Sequence, residues 1–110
     1  MTSIPKEIAG CKALVELILS ENAIQYLPDL SAIRTLEHLI ISDNKIKMLP
    51  ILGEGLRKVE ASSNQISEIV AQSFKLCSKL EVLTLNKNWI ERIEKGSFNE
   101  TKSMIVLELK

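Results

Sequence analysis

Leu80-Glu-Val-Leu-Thr-Leu-Asn-Lys-Asn-Trp-Ile90 is the stretch that decides how the rest of the chain is read. Leu83 and Leu85 are two residues apart, so in an extended chain they point to one side while Val82, Thr84 and Asn86 point to the other. The stretch reads as a short strand with a dry face and a wet face. Asn88 follows where the chain must turn, and a side-chain amide can bond turn N–H and C=O groups that no sheet partner reaches.

Working outward, the same frame appears at Leu14, Leu17, Leu19, Asn22 and Ile24, then at Leu36, Leu39, Ile41, Asn44 and Ile46, then at Leu56, Val59, Ala61, Asn64 and Ile66. A further copy begins at Met104, Leu107 and Leu109, and Lys110 follows before its Asn could appear. The starts are separated by 22, 20, 24 and 24 residues. On these frames the sequence resembles the leucine-rich-repeat family, whose repeats run about 20–29 residues. The resemblance covers residues 14–110 and extends to the partial unit before them.

The resemblance implies an α/β fold class: a right-handed solenoid with a parallel concave sheet of about five short strands and convex returns of loop or short helix. That handedness agrees with the general rule for parallel crossover connections. One domain, 1–110, is expected, divided into a partial unit 1–13, repeats 14–35, 36–55, 56–79 and 80–103, and a partial unit 104–110. A stack of three or more repeats is what such a fold needs to bury its core. The resemblance also implies a module that binds another protein on the concave sheet and has no catalytic activity.

Fourteen basic and fourteen acidic residues cancel, which removes the electrostatic case for nucleic acid or an anionic membrane. No apolar run of about 18 residues is present to span a bilayer. Met1 to Glu7 lacks the apolar centre of a signal peptide. Cys11 and Cys77 each lie three residues before a frame start, the column of Ile33, so both are expected on the core side of a return. Three rungs apart, they would be separated by roughly 14 Å at the usual strand spacing, too far for a disulfide. Two free thiols favour a reducing, cytoplasmic location.

The returns differ in kind. Ser3 to Lys12 reads as the second half of a repeat, with Pro5 suited to a helix first turn and Ser3 available as its cap. Leu49 to Gly55, with two glycines and little length, is expected to turn without a helix. Phe74 and Phe98 each follow their Asn by ten residues, so their rings are expected to stack in the return-side core.

Reactive chemistry is hard to find. His38 is the lone histidine, and Ser42, four residues along the same face, would lie roughly 13 Å away. One His and two distant Cys cannot close a zinc site. Gly53-Glu-Gly55 lacks the lysine of a phosphate loop. No catalytic residue, cofactor or metal is therefore expected.

What remains is the wet face, which stacks into columns: Glu16, His38, Lys58 and Val82; Ile18, Ile40, Glu60 and Thr84; Ser20, Ser42, Ser62 and Asn86. Beside them run Glu21, Asp43, Ser63 and Lys87, acidic at one end and basic at the other. Ile18 and Ile40 read either as strand propensity or as an apolar docking centre rimmed by Glu16, His38, Glu21 and Asp43. Trp89 reads either as an exposed anchor or as a ring folded over its own loop. The expected partner surface comprises Glu16, Ile18, Ser20, His38, Ile40, Ser42, Lys58, Glu60, Val82, Thr84, Asn86 and Trp89, above a structural ladder of Asn22, Asn44, Asn64 and Asn88.

Two further readings stay open at this level. Asn99-Glu-Thr101 matches an N-glycosylation acceptor, and the alternative to an intracellular module is an extracellular recognition fragment lacking disulfide caps. The last strand, Met104 to Leu109, presents an apolar open edge. Either the natural chain continues with more repeats or a cap, or copies self-associate through that edge.

Overall fold

A computed structural model describes residues 4–11 and 13–109. In chain order the elements are a 3-10 helix Lys6–Gly10, β1 Glu16–Ile18, β2 His38–Ile40, β3 Lys58–Glu60, β4 Glu68–Ile69, α1 Ala71–Phe74, β5 Val82–Thr84, β6 Arg92–Ile93 and β7 Val106–Glu108. Strands β1-β2-β3-β5-β7 form one parallel sheet in that order. The result is a solenoid of stacked coils in which each coil adds one strand.

The register is the one the columns require. Glu16 pairs with His38, His38 with Lys58, Lys58 with Val82 and Val82 with Val106. Leu17, Leu39, Val59, Leu83 and Leu107 form the inward row beneath them. A one-residue slip would move every such row to the opposite face, so burial of one face fixes the pairing. Leu39, Val59 and Leu83 are fully buried, together with Ile24, Ile46 and Ile66 one turn further along. A smaller sheet, β4 with β6, pairs Glu68 with Arg92 and Ile69 with Ile93.

After β1, β2, β3 and β5 the chain bends through one residue in the left-handed region: Glu21, Asp43, Ser63 and Lys87, with φ of 56–59°. None is β-branched, the class for which that conformation costs most. The column noted for its charge gradient is thus also the left-handed turn position of these four coils.

The ladder asparagines follow at once and join neighbouring coils. The side-chain oxygens of Asn44, Asn64 and Asn88 accept the N–H of Ile24, Ile46 and Ile66 in the coil before. Their Nδ2 groups donate to Leu19, Ile41 and Ala61 of that same preceding coil. Each also donates to its own coil, at Ile41, Ala61 and Leu85. A buried turn cannot leave its backbone groups unpaired, and one amide supplies both donor and acceptor.

The returns settle as follows. Leu49 to Gly55 turns without a helix. A Cβ at Gly55 would stand 2.4 Å from the Arg34 carbonyl oxygen, so only glycine lets this return lie so close to its neighbour. The next return holds the single turn α1, and Phe74 at its end is fully buried with its ring centroid 5.4 Å from that of Phe98. At the start, Pro5 caps a 3-10 helix from just outside and does not occupy its first turn. Ser3, the expected cap, lies outside the described residues.

One expectation about the core is corrected. Cys77 is buried but Cys11 is exposed. The column itself is right: Leu14, Leu36 and Leu80 donate their N–H to the carbonyls of Cys11, Ile33 and Cys77 in the same turn geometry. Ile33 and Cys77 have coils on both sides. No described coil lies on the outer side of Cys11, so the same position stays wet. Both thiols are free.

Candidate functional site

The outward face of the five-stranded sheet is built from the residues that alternate with the buried rows. Its columns are Glu16, His38, Lys58, Val82 and Val106, then Ile18, Ile40, Glu60, Thr84 and Glu108. The predicted site residues are therefore brought together on one surface, with Ser20, Ser42, Ser62 and Asn86 following each strand. The two isoleucines are unequal: Ile18 is 59 % exposed, and Ile40 is half-buried. Ile18 lies on an edge strand and Ile40 between two neighbours, which explains the difference. Trp89 is 62 % exposed, held at its backbone by an N–H donated to Ile66.

The charged side chains of the face are mostly engaged with one another. His38 Nδ1 lies 3.5 Å from a Glu16 carboxylate oxygen, and Lys58 Nζ lies 3.3 Å from Glu60. Asn86 donates to Glu108 at 3.1 Å, and the Asn86 N–H donates to the Ser62 hydroxyl. Exposed pairs of this kind contribute little to stability, so their role is to set the charge pattern of the surface.

Two features were missed by sequence reasoning. Arg57 bridges Glu37 and Glu81 across three coils, at 3.8 and 3.5 Å. The signal was present as a column of first-position residues, Val15, Glu37, Arg57, Glu81 and Ile105, in which the charges alternate. On the return side, Ile51, α1, Leu76 and the turn Gly96 to Glu100 enclose an open groove of about 580 Å³. It arises because the return of the second repeat is shorter than those after it, which a strand-centred reading does not weigh.

Among the described residues no group of three or more His, Cys, Asp or Glu gathers as a metal-binding set. No helix among them is long and apolar enough to cross a membrane. Asn99 is exposed, while Thr101 of the same triplet is buried and donates to the Phe98 carbonyl at 2.9 Å.

Burial pushes the Cys77 thiol up from its ordinary 9.0 to about 12. Its Sγ faces the Gly53 carbonyl at 3.6 Å. Because the folded value lies above the unfolded one, the neutral thiol favours the folded state. That contribution is complete below pH 9.0 and is lost as pH rises toward about 12. Alkylation of the native chain at mildly alkaline pH is expected to give one adduct, at Cys11, with Cys77 reacting only after unfolding. Two adducts forming at similar rates in intact-mass measurements would contradict the burial of Cys77.

No family model matches this chain, and no curated protein matches it.

Proposed function

We propose that the chain is a leucine-rich-repeat module, a right-handed arc whose five-stranded sheet lies on the concave side, and that it binds a protein partner there without catalysis. The observation that carries this reading is Ile18, 59 % exposed on the edge strand of the outward face and paired in register with Ile40. Glu16, His38, Glu21 and Asp43 rim the pair, giving the apolar-centre, polar-rim composition of an interface. Exposed Trp89 supplies a second anchor of the kind enriched at binding hot spots. The repeated frame, the parallel register and the asparagine ladder support the family reading. Two unpaired thiols favour a reducing, cytoplasmic setting.

The double change Ile18→Ser with Ile40→Ser tests the surface. It is expected to leave the chain folded at a cost of about 1–2 kcal/mol, mostly from half-buried Ile40, which a thermal melt checks. Affinity for a bound partner should fall at least about tenfold, because each lost side chain is one that binding would bury. A folded double variant with undiminished affinity would reduce the isoleucines to strand-forming residues.

A further inference from the structure

The two halves of the outward face differ in what they leave unpaired. In the later coils Lys58 pairs with Glu60, Arg57 with Glu81, and Asn86 with Glu108. In the first two coils Glu16 pairs with His38, and exposed Ile18 shares the face with Glu21 and Asp43, both also exposed. Neither of those carboxylates enters an ion pair or side-chain hydrogen bond among the described residues. Both occupy the left-handed turn position of their coil, at φ 59°. They project from adjacent coils, so they stand roughly one strand spacing apart, about 5 Å. Like charges at that distance repel, and a cation placed against both relieves the repulsion. Lys45, two residues after Asp43, makes no ion pair with either.

We propose that this half of the face recognises a cationic, aliphatic segment of a partner protein, whose apolar side chains cover Ile18 and Ile40 and whose Lys or Arg side chains meet Glu21 and Asp43. The proposal rests on the reading of the sheet face as a docking surface and adds the chemistry of the occupant. Charge complementarity of this kind selects partners and speeds encounter more than it adds affinity. The opposite end of the same column carries Lys87, three coils from Glu21 and roughly 15 Å away. That exceeds the screening length of about 8 Å at physiological salt. Lys87 therefore leaves the acidic end intact and gives the surface a direction.

The test selects random displayed peptides against the whole chain and measures enriched, synthesised peptides against the parent and three variants. Glu21→Lys with Asp43→Lys keeps its fold because Lys87 already occupies the same left-handed position at φ 58°, and a thermal melt checks this. Enriched peptides are expected to be cationic and aliphatic, and to weaken as salt rises. They should lose about tenfold or more on Glu21→Lys with Asp43→Lys, and at least as much on Ile18→Ser with Ile40→Ser. On Lys87→Glu they should change less than about twofold. Neutral or acidic peptides that still depend on Ile18 and Ile40 would overturn the cationic partner and leave the docking face standing. So would equal losses on Lys87→Glu and on the two lysine changes. Peptides indifferent to Ile18 and Ile40, or no enrichment at all, would overturn both.

Discussion

Asn64→Ala is expected to lower the melting temperature by about 5 °C or more. Asn64 is 4 % exposed and ties the second coil to the third. Its oxygen accepts the Ile46 N–H at 3.0 Å, and its Nδ2 lies 3.1 Å from the Ile41 carbonyl and 3.0 Å from that of Ala61. Alanine would orphan the Ile46 N–H in a fully buried turn, at a cost of about 1–3 kcal/mol for that group alone. In a stack where each coil contacts only its neighbours, a weakened junction lowers the stability of the whole array. Asn22 is the internal comparison. Among the described residues its amide donates only within its own coil, to Leu19 and Ser20, so Asn22→Ala should cost less. A melting temperature unchanged by Asn64→Ala, or equal losses at the two positions, would mean that the ladder does not join the coils.

Phe74→Ala should cost about 3–5 kcal/mol, the usual range for deleting a buried ring. The ring is fully buried at the end of α1 and tilted 42° to that of Phe98. Phe98 is half-buried, so truncating it should cost less. The two changes together should be non-additive by about 0.5–1.5 kcal/mol, the coupling typical of an aromatic pair. Urea unfolding of the two single variants and the double variant measures all three values. A Phe74→Ala variant within about 1 kcal/mol of the parent would show that α1 is not anchored through its ring.

The strand rows were legible in the sequence because their signal is local and repeated. Leu39, Val59 and Leu83 alternate with outward residues in one frame, and the frame fixes register without any knowledge of the returns. The asparagines were legible for the same reason, as were the Phe74–Phe98 contact and the free thiols. What the sequence hid depends on neighbours in the stack. Cys11 and Cys77 share a column, yet among the described residues only Cys77 has coils on both sides. Ile18 and Ile40 share a column, yet one lies at an edge and the other inside. The pairs β4–β6 have two residues per strand, too few to show alternation. The Glu37–Arg57–Glu81 bridge needed columns to be compared at the first position of the frame, where no apolar residue marks them.

The proposed docking face is tested most directly by isoleucine-methyl NMR of the chain on addition of a bound peptide. Ile18 and Ile40 report the outward face, Ile51 lines the return-side groove, and fully buried Ile24, Ile33 and Ile66 serve as references. The account predicts that the Ile18 and Ile40 methyl signals shift while that of Ile51 stays in place. A shift of Ile51 with Ile18 and Ile40 unmoved would place binding on the opposite side of the molecule and contradict it.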